Sequence, residues 1–92
     1  MTGEEYHIII SGDVHGVFFR AFIRDNALRL GIKGYVTNLH DGSVEAVLQG
    51  PDKPVKHLID LCRSGPSAAA VKDVKIDKRP QTAIFEDFSI NY

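Results

Sequence analysis

Apolar residues recur along this chain with two periods, and the switches between them mark its elements. Residues 1–5 are polar and expected to be loose. Tyr6, Ile8, Ile9 and Ile10 form a dense apolar run, so residues 6–11 read as a strand buried on both faces, as in the middle of a sheet. Phe19, Phe22, Ile23, Ala27 and Leu30 then fall three and four apart, one face of a helix. Arg24, Asp25 and Arg29 lie largely off that face. Asp25 and Arg29 are spaced i,i+4, a pair worth a few tenths of a kcal/mol. Gly31 is placed to end the helix in the left-handed conformation.

Residues 33–39 favour extension through Tyr35, Val36 and Thr37, and alternation puts Val36 and Asn38 on one face. His40-Asp41-Gly42 reads as a hairpin turn. The return strand, residues 43–49, carries Val44, Ala46 and Leu48 on one face, and Gly50-Pro51 breaks it. Asp52 suits a helix N-cap and Pro54 is tolerated in a first turn. Val55, Leu58, Ile59 and Cys62 make a second helical stripe, closed by Gly65-Pro66. After a loop at 67–70, residues 71–78 alternate through Val74 and Ile76. Residues 79–82 turn at Pro80. Residues 84–92 form a last strand with Phe88, Ile90 and Tyr92 on one face.

The order is therefore β-α-β-β-α-β with an extra C-terminal strand. Two crossover helices and one hairpin make a split-βαβ, α+β sandwich, both helices covering one face of a largely antiparallel sheet. Ninety-two residues without linker, repeat or low-complexity stretch imply a single domain over 1–92. At 43% hydrophobic the chain can bury a core. Eleven Lys and Arg balance 12 Asp and Glu, which excludes binding to nucleic acid through a basic surface. One cysteine, Cys62, permits no internal disulfide and sits on an apolar stripe, as an inert buried thiol. No apolar run is long enough to span a membrane, and the first residues lack a basic region and a small-residue cleavage site. A soluble, cytoplasmic monomer is the expectation.

The candidate chemistry lies in GDVHGVFFR, residues 12–20. A strand running through a glycine turn into a helix leaves several backbone N–H groups facing one space, and the helix dipole favours an anion there. Arg20 adds a planar fork of charged donors suited to phosphate or carboxylate. The stretch is neither a P-loop nor a dinucleotide fingerprint, since it has no Gly-Lys-Ser/Thr and no third glycine. On glycine spacing alone it is a tight turn followed by a surface arginine.

The wider pattern is more specific. GDVHGVFFR, then Gly34-Tyr35-Val36-Thr37-Asn38, then Asp41-Gly42-Ser43-Val44-Glu45 resembles the acylphosphatase family, whose signature reads G-x-V-Q-G-V-x-[FY]-R and then G-[YW]-V-x-N-x-x-D-G-x-V-E. The resemblance runs the length of the chain and implies a ferredoxin-like fold. It also implies an enzyme that hydrolyses acyl phosphates to a carboxylate and inorganic phosphate without metal or other cofactor. By the same resemblance, the amides of His15, Gly16, Val17, Phe18 and Phe19 and the side chain of Arg20 hold the phosphoryl group. Asn38 orients the attacking water, for which a carboxamide, both donor and acceptor, is suited. The implied partner is a small acyl phosphate, with inorganic phosphate as an inhibitor.

Two residues depart from the signature. Asp13 places an acid within the loop, where a charge aimed at phosphate opposes binding, so an outward orientation is expected. His15 replaces glutamine and would make the loop pH-sensitive if its side chain took part. None of His7, His15, His40 and His57 is spaced as a metal ligand with another His or with Cys62. Two other readings stand beside the enzyme. An RRM-type RNA-binding module needs aromatic residues on its sheet strands, whereas Val17-Phe18-Phe19 lies in a loop and helix start. A catalytically silent relative is disfavoured by the joint presence of Arg20 and Asn38.

Overall fold

The computed structural model describes residues 4–16, 18–81 and 83–91. The elements are β1 (Glu4–Asp13), α1 (Phe19–Leu30), β2 (Lys33–Asn38), β3 (Val44–Gln49), α2 (Asp52–Ser64), β4 (Ala70–Pro80) and β5 (Phe88–Asn91). The strands make one sheet in the order β4-β1-β3-β2-β5. All neighbours are antiparallel except β2 and β5, which run parallel. This is the ferredoxin-like α+β arrangement expected, with the extra strand at one edge.

One face of the sheet and both helices share the core. Ile8, Ile10, Val36, Val44, Ala46 and Leu48 pack with Phe19, Ile23 and Ala27 of α1 and Val55, Leu58, Ile59 and Cys62 of α2. Each large aliphatic side chain so buried contributes about 1.5–3 kcal/mol. Both helical stripes are those read from the periodicity, and Gly31 ends α1 at φ 72°.

The expectation that β1 is buried on both faces is corrected. Ile8 and Ile10 are fully buried under the helices, but His7 and Ile9 are only half-buried on the other face. That face is partly polar, because no helix covers it.

Several boundaries also move, and pairing explains them. β1 begins at Glu4, within the stretch expected to be loose, and runs on to Asp13 because β4 pairs with it throughout. The register shifts between Ser11 and Gly12, and a Cβ on Gly12 would lie 2.3 Å from the Ala70 carbonyl oxygen. Gly12 is thus a close-approach glycine inside a strand and no part of the loop. β4 includes Arg79 and Pro80, assigned to a turn from sequence, because they pair with Glu5 and Glu4. Proline is tolerated there because β4 is an edge strand.

β5 is shorter than expected and starts at Phe88. The Gln49 carboxamide instead engages the backbone upstream. It donates to the Ala83 carbonyl at 2.8 Å and accepts from the Phe85 N–H at 3.2 Å. Tyr92, assigned to the same face as Phe88 and Ile90, lies outside the described residues, as does Thr82 of the expected turn.

The N-cap of α2 is Pro51, and Asp52 is the first helical residue. Asp52 accepts a hydrogen bond from the Tyr6 hydroxyl at 3.3 Å and pairs with Lys78 at 3.6 Å. The first rung of α2 is Val55 N–H to the Pro51 carbonyl, so the N–H missing from Pro54 costs no rung. The expected Asp25–Arg29 pair gives way to nearer partners: Arg24 pairs with Asp25 at 3.1 Å, and Arg29 donates to Asn26 at 2.9 Å.

Candidate active site

Between β1 and α1 the chain turns through Val14, His15 and Gly16. Val14 is buried and anchors the turn to the core, while His15 and Gly16 are exposed. Gly16 has φ 72°, a value glycine adopts without strain. The N-cap of α1 is Phe18, in the left-handed region at φ 61° and ψ 22°. A left-handed backbone costs a non-glycine residue about 1–2 kcal/mol. The phenylalanine ring has no acceptor with which to cap the helix. The first turn of α1 carries no acid.

At the start of α1 the Phe22 N–H donates to the Phe18 carbonyl at 3.0 Å. The amides of Phe19, Arg20 and Ala21 precede it, in the turn where a helix offers donors to outside acceptors. Phe19 is 1% exposed and locks this turn in place. Its ring packs against Gly65 at the end of α2, where a Cβ would lie 2.6 Å from Phe19 Cε2. The second helix thereby fixes the start of the first.

Arg20 is the second residue of α1 and is half-buried. Asn38 is the last residue of β2, paired with Val44 just before the hairpin turn. That turn is held by Leu39 N–H to the Ser43 carbonyl at 2.8 Å and by Ser43 N–H to Asp41 Oδ1 at 2.9 Å. The Ser43 hydroxyl and N–H both donate to Asp41, which keeps its carboxyl below the usual range. The hairpin is therefore a firm mount for Asn38.

Arg20 and Asn38 are 18 positions apart in sequence, yet both line one cavity of about 240 Å³. Gly16, Phe18 and Phe19 line it too, and Ile90 of β5 closes part of the wall. Among the described lining residues Arg20 alone carries a charge, on a guanidinium whose planar fork suits a phosphate or carboxylate. Asn38 is half-buried, and no described residue hydrogen-bonds its carboxamide. His15 and Asp13 are exposed and are not among the described lining residues. Val17, assigned to the phosphate loop, lies outside the described residues.

The other ionisable groups lie elsewhere. His7 contacts Glu45 at 2.8 Å on the opposite face of the sheet. His15, His40 and His57 are exposed. Cys62 is fully buried, and burial pushes its thiol up to about 12. Among the described residues, no three His, Cys, Asp or Glu side chains converge as metal ligands would. No helix among them is long and apolar enough to cross a membrane.

Sequence reasoning does not assign Ile90 or Ala21 to this cavity. Alternation in the last strand is the signal for Ile90, since it shares a face with Phe88 and pairs with Val36 beside Asn38. The left-handed backbone of Phe18 has no signal in the sequence.

The profile of the acylphosphatase family matches residues 6–90. The chain belongs to the acylphosphatase family. It is thereby an enzyme of the hydrolase class. An acylphosphatase of Syntrophus aciditrophicus is 46% identical over 86 residues, covering 94% of this chain and 90% of its own. One of Pelotomaculum thermopropionicum is 39% identical, with full coverage of both chains. Among solved structures, the acylphosphatase of Bacillus subtilis superposes with a TM-score of 0.90 at 29% identity, covering 98% of this chain and 100% of its own. That of Coxiella burnetii superposes with a TM-score of 0.89 at 35% identity, covering 96% and 93%.

Proposed function

We propose that this chain hydrolyses acyl phosphates, R–CO–O–PO₃²⁻, to a carboxylate and inorganic phosphate. The observation that carries the reading is one cavity lined by Arg20, Asn38 and the backbone at the start of α1. The family membership supplies the substrate class. The amides of residues 15–19 and the Arg20 guanidinium cradle the phosphoryl oxygens. Asn38 holds a water in line with the bond to be broken, accepting from it and leaving a lone pair towards phosphorus.

Attack forms the new P–O bond from water as the P–O bond to the carboxylate breaks. The carboxylate leaves with the bonding electron pair, and the proton of the attacking water passes to phosphate or solvent. A carboxylate is a good leaving group, so no strong general acid is needed, and none lines the cavity among the described residues. Positioning and charge stabilisation account for the rate. Arg20 and the amide dipoles supply the charge, so the reaction runs without metal, cofactor or covalent enzyme intermediate.

The enzyme so described acts as a cytoplasmic monomer of one domain on a small molecule. It takes no nucleic acid or membrane partner, and inorganic phosphate competes for its cradle. Benzoyl phosphate hydrolysis by the purified protein tests this reading. Turnover, with competitive inhibition by inorganic phosphate, is expected. A protein that neither turns over benzoyl or acetyl phosphate nor binds phosphate contradicts it.

A further inference from the structure

The Asn38 carboxamide lines the cavity, and no described residue hydrogen-bonds it. Its direction is therefore set by its own rotamer and by the backbone that carries it. That backbone is held on one side by the ladder of β2 and β3 and on the other by the turn through residues 39–43. In a regular antiparallel pair the two residues that close a hairpin exchange both of their N–H···O bonds. Here only one is made between Leu39 and Ser43. Leu39 N–H donates to the Ser43 carbonyl at 2.8 Å, but the Leu39 carbonyl accepts from Gly42 N–H, at 3.1 Å. Gly42 sits at φ 90°, so the turn depends on a glycine there. The Ser43 N–H goes instead to Asp41 Oδ1 at 2.9 Å, and the Ser43 hydroxyl donates to the same oxygen. A carboxylate thus takes the place of the missing rung, one residue from Asn38.

Ser43 is only 5% exposed, and a buried N–H left without a partner is costly. Without the carboxylate the turn must rearrange to satisfy it, and the backbone at Leu39 and Asn38 moves with the turn. Asp41 itself is exposed and is not among the described residues lining the cavity. We propose that Asp41 is a positioning residue for the reaction: its bonds to Ser43 close the hairpin and so fix the direction of the Asn38 carboxamide. The inference rests on the reading above, in which Asn38 holds the attacking water. In-line attack tolerates little misplacement of the group that orients the nucleophile. The phosphoryl cradle, at the start of α1, is built from a different part of the chain and does not depend on this turn. Asp41 should therefore act on the chemical step and not on phosphate binding.

The test is a double-mutant cycle between Asp41 and Asn38, read as kcat for benzoyl phosphate and as the inhibition constant of inorganic phosphate. Asp41→Ala is expected to lower kcat about 5- to 20-fold, less than loss of the carboxamide itself, with the phosphate inhibition constant unchanged. The unchanged inhibition constant also shows that the variant is folded. Asp41→Asn keeps an acceptor for Ser43 and drops the charge, so its kcat should lie within about 2-fold of wild type. Added to Asn38→Ala, Asp41→Ala should lower kcat no further, because the group it aims is gone. A turn that merely stabilises the fold would not give this dependence on Asn38. An equal loss of kcat in the wild-type and Asn38→Ala backgrounds overturns the proposal, as does a normal kcat in Asp41→Ala. Either result leaves the role of Asn38 intact, provided that Asn38→Ala alone is slow. A near-normal kcat in Asn38→Ala contradicts the water-holding reading and takes this proposal with it.

Discussion

Two carboxamides on neighbouring strands behave in opposite ways. Gln49, at the end of β3, is buried and fully engaged. Its nitrogen donates to Glu5 at 2.9 Å and to the Ala83 carbonyl at 2.8 Å, and its oxygen accepts from Gln81 and from the Phe85 N–H, both at 3.2 Å. Glu5 is only 2% exposed, and its other oxygen takes the Arg79 guanidinium at 2.9 Å. Asn38, at the end of β2, is half-buried, and no described residue hydrogen-bonds its side chain. A polar group held at a rigid position usually finds partners within the protein. Where its partners are internal, as at Gln49, the group holds loops together. Where they are not, as at Asn38, the carboxamide is open to whatever enters the cavity it lines with Arg20.

The largest separation between these regions should come from Arg20. Lysine keeps the charge but not the fork, so Arg20→Lys should lower kcat/KM about 10²- to 10³-fold, the scale of losing one aligned stabilising group. It should also weaken competitive inhibition by inorganic phosphate while leaving the thermal midpoint nearly unchanged. Unaltered phosphate inhibition would remove Arg20 from the cradle. Gln49→Leu should do the reverse. It leaves the Glu5 carboxylate and the backbone at Ala83 and Phe85 short of partners, at a cost of about 2 kcal/mol in urea unfolding. In the folded protein kcat should be nearly that of wild type. A loss of kcat as large as that from Arg20→Lys would mean that the two polar regions are coupled.

These two regions also differ in how legible they are. The apolar face was readable because Ile8, Ile10, Val44, Ala46 and Leu48 follow strand alternation and Val55, Leu58, Ile59 and Cys62 follow helical spacing, and all are buried. Burial of apolar area is the dominant force, and it writes itself into periodicity. The site was readable only through the family signature, since a glycine turn and a lone arginine occur in many proteins. The Glu5–Gln49–Arg79 network was not readable. Its members lie up to 74 positions apart in sequence and carry no pattern of their own. The same network explains the late start of β5, because Gln49 holds Ala83 and Phe85 where a ladder was expected. The reach of β1 and β4 was missed for a related reason: strand pairing overrides weak local signals.

Smaller effects sharpen the contrast. Asp13 is exposed and is not among the described residues lining the cavity, so Asp13→Asn should change KM only slightly, by about the few tenths of a kcal/mol of a screened charge. A large fall in KM would show that the substrate feels its charge. On the proposed role of His15 through its amide, the pH–rate profiles of wild type and His15→Gln should have the same shape between pH 5 and 8. A histidine step present only in wild type would bring the imidazole into the site. The smallest expected effect is that of exhaustive chelation, which should leave activity unchanged. Loss of activity with EDTA, restored by a divalent ion, would contradict charge stabilisation by Arg20 and amides alone.

Asn38→Ala tests the central claim most directly, because it separates holding water from holding phosphate. A group that acts mainly in the transition state affects kcat more than KM. Steady-state hydrolysis of benzoyl phosphate by Asn38→Ala, measured with and without inorganic phosphate, should show kcat lower by about 10²-fold or more. The phosphate inhibition constant and the thermal midpoint should be close to wild type, since Arg20, the loop and the core remain. A near-normal kcat would reduce Asn38 to a residue of the hairpin turn, and a parallel loss of phosphate inhibition would move it into the anion cradle.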